Sequence, residues 1–368
     1  MAKLLMISGD RALAQGKQGA FYNTLEEFHK YWERIDIIVP IASHGGPPVE
    51  SPLVFFDNVF IHLSPWPLIF QPFWIFKKGL EIYRSQKFDL MTVHEYPPFY
   101  NGIGARMLWN KIKIPYVLEV HHIIGYPKAA DLREKLYRWL TKVFIKFDSS
   151  KAKAVRTVNQ KQVPEFLIRA GVPREKIVYI PSLYIDLDIF KPMNLEKEYD
   201  LIFVGRLVKN KGIDLFLKAV KGLDCKVVIV GDGPLKNKIR SKIKNWKLKA
   251  DLAGWAKDSE EVARFLNQSK ILIMPSYNEG GPRVVAEAMA CGVPILATPV
   301  GIVADIIKDN QSGQLIKWDV GDIVQKAKSL LLNKSEYQKY SEAALKTAKR
   351  FEKKSAIRNY AEKLKELI

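Results

Sequence analysis

The sequence predicts an α/β protein built as two doubly wound parallel-sheet domains facing each other across a cleft, and three observations carry that prediction. Short runs rich in Val, Ile and Leu alternate with longer segments of helical period along almost the whole chain, the pattern of parallel sheets covered by helices on both faces. The chain has 368 residues, more than one ordinary core organises, so two domains of roughly 150–200 residues are expected. The alternation breaks once, between Pro181 and Pro192, where neither helical nor strand period survives. That stretch is read as the domain boundary.

In chain order, apolar runs of strand length fall near residues 3–8, 35–39, 58–62, 88–93, 115–120, 153–158 and 176–180. Helical periods between them cover about 20–33, 73–86, 99–110, 131–147 and 160–170. Beyond the boundary a second series has strands near 200–204, 226–230, 250–253, 270–274, 294–297 and 313–316. Its helices lie near 212–221, 234–245, 258–267, 283–291 and 320–332, and residues 351–368 form one more. Ligands of open α/β sheets bind outside the carboxyl ends of the strands, so two such domains in tandem make the cleft between them the expected site.

Composition narrows the class. With 48% hydrophobic and 26% charged residues the chain is neither disordered nor fibrous. Cys225 and Cys291 are the only cysteines; they suggest no disulfide framework and fit a reducing cytosol. The first apolar run is too short for a signal-peptide core, and the longest, residues 68–76, is broken by Gln71 and Pro72 and falls far short of the ~20 residues a membrane span needs. A net charge of +19 implies attraction to polyanions, whether nucleic acid, anionic lipid or phosphorylated substrates. The Lys-rich residues 236–249 and 346–354 read as solvated helix faces.

The strongest local signal is a strand, turn and helix over residues 274–294. Gly280 and Gly281 leave room for a ligand against the backbone, and Pro282 is expected at the first helical position. The helix then offers free N–H groups and its positive dipole end to the cleft, a ready phosphate site. Glu279 in the loop and Glu287 one turn into the helix can both face the same sheet end, where carboxylates accept hydrogen bonds from sugar hydroxyls. The competing reading has Glu279 capping the helix and Glu287 in solvent. A second signal is the buried strand 201–204 followed by Gly205-Arg206 and, before a helix, Lys211-Gly212. Two cations at the mouth of a sheet can neutralise a diphosphate, Arg206 as a planar fork and Lys211 as a point charge, although such residues on loops are ordinarily just solvated.

Taken together, Val204-Gly205-Arg206-Leu207 with Lys211-Gly212, Gly231-Asp232-Gly233-Pro234, Gly254-Trp255, Pro275-Ser276, Glu279-Gly280 and Glu287-Ala288-Met289-Ala290-Cys291-Gly292-Val293-Pro294 resemble the retaining glycosyltransferases of family 4, the glycosyl transferases group 1. The resemblance implies the GT-B fold, two Rossmann-like domains facing an interdomain cleft: an acceptor-side domain 1–190, a nucleotide-sugar-binding domain 191–350, and a helix 351–368 crossing back to the first domain. It implies a hexosyl transfer from a nucleoside-diphosphate sugar, GDP-mannose or a UDP-hexose, with no cofactor and no metal required. Arg206 and Lys211 would hold the donor diphosphate, Glu279 the sugar hydroxyls and Glu287 the ribose. The backbone of Gly205, Gly280, Gly281 and Pro282 would approach sugar and phosphates, and Trp255 would frame the base.

Elsewhere the pattern is looser. Val117-Leu118-Glu119-Val120-His121 resembles the family's strand-end histidine, which makes His121 the residue that contacts a donor sugar hydroxyl and the acceptor region; His122 follows where Asp or Gly is common. Gly16 and Gly19 stand where the family has a Gly-Gly loop. Ser182 and Leu183 replace an Asn-Gly in the linker, and Gly301-Ile302 replaces a second Gly-Gly. Asp186-Leu187-Asp188 matches the bare Asp-x-Asp of metal-dependent transferases of another fold, but its place in the linker marks it as structural.

Two rivals stand beside this reading: an epimerase or phosphorylase on the same architecture, and a basic non-catalytic protein binding membrane or nucleic acid. Within the transferase reading a nucleic-acid partner is not expected, and the charge can serve a lipid-linked acceptor. Leu132, Leu136, Trp139, Leu140, Val143, Phe144 and Phe147 fall on one helical stripe, with Arg133, Arg138, Lys142 and Lys146 largely elsewhere. This suits either an interfacial helix, with the chain peripheral at the inner face of the cell membrane, or a helix packed on its sheet.

Overall fold

The computed structural model describes residues 1–10, 13, 19–40, 52–307 and 309–368; Gly16, one of the expected glycines, lies outside them. Two lobes follow one another. The first holds strands β1 (Lys3–Ile7), β2 (Arg34–Val39), β3 (Leu53–Phe55), β4 (Val59–Leu63), β5 (Leu90–His94), β6 (Tyr116–Val120), β7 (Ala154–Thr157) and β8 (Ile177–Tyr179), with helices α1 (Ala20–Phe28), α2 (Gln71–Gln86), α3 (Tyr100–Ile112), α4 (Leu132–Ser149) and α5 (Gln162–Arg169). Its sheet runs β3-β4-β2-β1-β5-β6-β7-β8, parallel except at the β3–β4 edge.

The second lobe has β9 (Tyr199–Val204), β10 (Val227–Val230), β11 (Ala250–Gly254), β12 (Ser269–Met274), β13 (Ile295–Ala297) and β14 (Gln314–Leu315), in the order β11-β10-β9-β12-β13-β14. Its helices are α6 (Ile213–Lys221), α7 (Lys236–Asn245), α8 (Ser259–Asn267), α9 (Arg283–Ala290), α10 (Val303–Ile306), α11 (Val320–Leu332) and α12 (Lys334–Ala348), and α13 (Lys353–Lys365) closes the chain. Strand order reverses beside β1 in one lobe and beside β9 in the other. Those two switch points open the crevices where an α/β sheet takes its ligand.

Three departures from the sequence reading have local causes. β3 is too short to show a period. Helix α12, absent from the sequence reading, follows α11 after a single residue, because the Asn333 side chain accepts from Glu336 N and starts a new helix. α13 begins after Glu352, which caps it through Lys354 N and Ser355 N.

The chain crosses between lobes around residues 180–190: Ile180 and Tyr184 pack in the first lobe's core, Leu183, Ile185 and Phe190 in the second's. α13 carries the chain back. Ile357, Tyr360, Ala361 and Leu364 bury against α1, Tyr360 stacks on Phe28 at 4.8 Å, and Ile185 N donates to Phe351 O while Lys353 N donates to Ile185 O.

Helix α4 does not pack by its apolar stripe. Thr141, Ile145, Asp148 and Ser149 face inward, while Leu132, Leu136, Trp139 and Val143 are exposed. Asp148 meets Glu95 at the end of β5: a Cβ added at Gly102 would lie 2.1 Å from Glu95 Oε2 and 2.7 Å from Asp148 Cγ. Burial raises both carboxyls, Glu95 well above its ordinary range with help from the Asp148 charge, and Asp148 to about 7. The folded pair therefore keeps protons that the unfolded chain releases at about pH 4, so its stabilising contribution is present at low pH and is lost as pH rises through about 7. Asp148→Asn is expected to flatten this dependence and raise the melting temperature at pH 8 by several degrees, on the order of 2 kcal/mol, with little change at pH 5. Thermal unfolding of both proteins at the two pH values checks it.

Candidate active site

The second lobe gathers its polar loops at the β9 switch point. β9 delivers Gly205 and Arg206; β12, its neighbour, delivers residues 275–282 and then α9. Tyr277 N donates to Asn210 O at 2.7 Å, and Lys211 Nζ reaches Glu279 Oε1 at 2.5 Å, so the two loops are tied through backbone and charge. Ser276 Oγ also donates to Glu279 Oε1, at 3.0 Å. The Ser276 carbonyl is fixed in turn by Thr298 Oγ1 at 2.6 Å and Trp318 Nε1 at 2.9 Å. Glu279 is thus a partner of Lys211 and not the helix cap of the competing reading. Pro282 proves to be the N-cap, one position before the first helical residue expected of it, and supplies no side-chain cap to α9. Without a side-chain cap, the positive dipole end of α9 is open to an anion at the cleft.

Arg206 is exposed on the wall of the interlobe crevice, together with Asn278, Pro234 and His122. On the other side of Gly205 a recess is lined by Glu287, Val230, Gly231, Phe190 and Trp255. Trp255, 68% exposed, forms its rim. Desolvation in the recess pushes the Glu287 carboxyl up to about 7, against the pull of Arg283.

Across the cleft, His121 follows the last residue of β6. Its neighbour Glu119 is wholly buried: Oε1 accepts from Arg156 Nη1 at 2.6 Å and Tyr360 Oη at 2.7 Å, and Oε2 lies 2.7 Å from His94 Nε2 and 4.0 Å from His121 Nε2. Arg156 and His94 hold Glu119 ionised, well below the usual carboxylate range in spite of its burial. Burial, then the nearby His94 and Arg156, drive His121 down to about 3, so it stands as neutral imidazole. Among the described residues His94, Glu119 and His121 form the one group able to hold a metal ion, with ligand atoms within 4.8 Å of one another. Arg156 already balances the carboxylate there. The linker's Asp186 is engaged in a turn, with Oδ1 accepting from Asp188 N at 3.0 Å.

The lobes meet tightly here. A Cβ on Gly280 would fall 2.2 Å from the His121 carbonyl oxygen and one on Gly301 2.1 Å from the Gly280 oxygen, so these positions admit no side chain. Gly301 N donates to Gln162 Oε1, whose amide nitrogen donates to Pro299 O. Asn278 Nδ2 bridges to Glu134 Oε2 and Lys128 O. Gly281 faces Ser182 of the linker. Gly19 is the N-cap of α1, and the next turn of that helix, Phe21 and Thr24, lines a cavity with His94, His121 and Tyr360.

Arg206, Lys211, Glu279, Gly280 and His121, all expected from the sequence, converge on one cleft. The motifs assign no role to Glu119, Arg156, His94, Tyr360, Asn278 or Gln162. A signal existed for the first two: an acid and a base each interrupt an apolar strand, and the strands prove to be neighbours with Glu119 opposite Arg156.

Two parallel-sheet lobes with strand ends facing across a cleft, one of them presenting cations beside an uncapped helix start, define a two-domain α/β protein that binds its ligand between the lobes. The family model for glycosyl transferases group 1 matches residues 185–347, and that for glycosyltransferase family 4 matches residues 23–183. An uncharacterized glycosyltransferase of Methanocaldococcus jannaschii is 29% identical over 303 residues, 80% of this chain and 82% of its own. An α-1,4-N-acetyl-D-galactosaminyltransferase of Campylobacter jejuni, named for a diNAcBac-PP-undecaprenol-linked glycan, is 30% identical over 62% of this chain and 61% of its own. The fold is shared with Anabaena HepE, solved in complex with UDP and glucose, at a TM-score of 0.76 and 16% identity over the full length of both chains. The chain belongs to the family 4 glycosyltransferases of the GT-B fold, and is a glycosyltransferase.

Gly280→Ala is expected to force the lobes apart at His121 while leaving each core intact. Transfer activity should fall about 100-fold or more, the order by which misplaced reacting groups slow a reaction, with far-UV circular dichroism unchanged. Wild-type activity in this variant would mean the close approach is irrelevant to turnover.

Proposed function

We propose that this enzyme moves a hexosyl unit from a nucleoside-diphosphate sugar, GDP-mannose or a UDP-hexose, to a hydroxyl of a glycan or lipid acceptor, with retention at the anomeric carbon. The observation that carries the reading is the bridge between Lys211 and Glu279 beside the uncapped start of α9, directly opposite His121. A cation, the dipole end of a helix without a side-chain cap and a carboxylate within one loop pair suit a diphosphate joined to a sugar. The complex of Anabaena HepE with UDP and glucose supports a donor of this class.

In this reading the domain 191–350 holds the donor, the domain 1–190 the acceptor, and residues 351–368 latch the two. Glu287 accepts from the ribose hydroxyls, and Trp255 at the rim covers the base. Lys211 exchanges Glu279 for the diphosphate, which releases Glu279 to the sugar hydroxyls. Gly205, Gly280, Gly281 and Pro282 bring backbone close to sugar and phosphate, and Gly16 and Gly19 do so from the first lobe. As the bond from the anomeric carbon to phosphate oxygen breaks, the departing diphosphate gains charge beside Arg206, Lys211 and the α9 amides. The acceptor oxygen attacks from the same face and its proton passes to the departing phosphate oxygen. Neutral His121 hydrogen-bonds a donor hydroxyl and carries no competing charge, and closure of the lobes at Gly280 excludes water.

No metal is needed, because fixed cations and amides do the charge stabilisation. The acceptor is met at an anionic membrane surface on the cytoplasmic side, where the chain sits peripherally; nucleic acid has no part. Among the described residues no helix is long and apolar enough to cross a membrane.

A panel of nucleotide sugars tested for thermal stabilisation identifies the donor. With that donor, Lys211→Ala and Glu279→Ala are each expected to cut transfer by about 100-fold or more without loss of fold, and added EDTA to leave the wild type unaffected. Normal turnover in either variant rejects the site. Ionised Glu287 accepts from ribose better than the acid form, so KM for the donor should fall about tenfold between about pH 6 and about pH 8. Glu287→Gln should raise KM and abolish that pH dependence; an unchanged profile removes Glu287 from the ribose.

A further inference from the structure

Helix α4 is amphipathic in the wrong sense for a helix that covers a sheet. Its inward face is mixed and its apolar stripe points outward: Leu132 is 79% exposed, Leu136 54%, Trp139 59% and Val143 53%. Steps of four, three and four residues set these side chains on one line along the helix. At 100° per residue Lys135, Lys142 and Lys146, all exposed, form a row along one edge of that line. On the same face of the first sheet, with α3 between, the entry to α2 exposes Phe70 and Phe73. An exposed apolar stripe of this size is costly unless something covers it.

We propose that this face docks on an anionic lipid bilayer, with the α4 stripe set among the acyl chains and the lysine row against the headgroups. Charge selects this occupant. Two copies apposed through their stripes would bring lysine rows together on chains that each carry +19, whereas a bilayer rich in anionic lipid attracts both the row and the net charge. Aliphatic and indole side chains flanked by lysine are the makeup of an interfacial helix.

The geometry also orients the enzyme. Asp131, Glu134 and Tyr137 of the first α4 turns line the crevice with Arg206 and His122, and Glu134 accepts from Asn278 of the donor loop at 2.9 Å. Glu134 and Tyr137 lie on the side of α4 turned away from the stripe, so docking by α4 holds the crevice about one helix diameter, ~10 Å, from the membrane surface, within reach of an amphiphilic acceptor. The purpose of the docking rests on the proposed lipid acceptor; its geometry does not.

Co-sedimentation with vesicles of equal phosphatidylglycerol and phosphatidylcholine, against vesicles of phosphatidylcholine alone, tests it. The wild type should pellet with the anionic vesicles at low salt. Trp139→Gln/Val143→Gln, which leaves the charge unchanged, should weaken partitioning about tenfold or more, and Lys135→Gln/Lys142→Gln should weaken it at low salt and flatten its salt dependence. Stabilisation by the donor nucleotide sugar should be the same in all three proteins. A wild type left in the supernatant, or a Trp139/Val143 variant that pellets like the wild type, overturns the docking face. So does a wild-type dimer in sedimentation velocity that this variant dissolves, which would assign the stripe to a second copy. Loss of nucleotide-sugar stabilisation in the wild type would instead defeat the transferase site and leave vesicle binding standing.

Discussion

The bridge between Lys211 and Glu279 is the constraint on which the cleft depends. It spans the switch point of the second sheet and joins a loop from β9 to a loop from β12, whose strands are neighbours only in space. Ser276 holds the same carboxylate, and Thr298 and Trp318 hold Ser276 in turn. Each group of this chain is fixed by the next, so the loop arrives at Gly280 with little freedom left. Such prior ordering is what lets amides and cations act on developing charge without reorganising during the reaction.

The first lobe answers with a buried charge system of its own. Glu119 satisfies Arg156, Tyr360 and His94 at once, and its environment leaves His121 neutral at the cleft. Tyr360 belongs to α13, the helix that returns from the second lobe, so the strand bearing His121 is braced by a segment whose path depends on both lobes. Removing one partner from a buried set of this kind leaves an uncompensated charge, which is why such networks tend to be rigid.

Much of this was legible in the sequence because alternation of apolar runs and helical periods is a strong signal over many residues. The Gly205-Arg206 and Glu279-Gly280 motifs could each be recognised where they stood. Their pairing could not, because Lys211 and Glu279 lie 68 positions apart and meet only through strand order. The same holds for Glu119 and Arg156, visible as charges in apolar strands but meaningful only once β6 and β7 are adjacent. Periodicity found the α4 stripe but could not say which way it faced, since a helix packed by its stripe and one turned outward have the same sequence pattern. β3 failed on length, and Pro282 was displaced by one residue, the ordinary uncertainty of a helix boundary.

Everything proposed for catalysis requires a diphosphate at the meeting of the Gly205–Gly212 loop and the start of α9. Amide hydrogen exchange followed with and without a saturating nucleotide sugar reads that meeting point directly. Slowed exchange at residues 205–212 and 279–285 together, with little change at β14 or α12, is the expected result. Protection confined to other segments, or none at these two loops under saturation, would contradict the account.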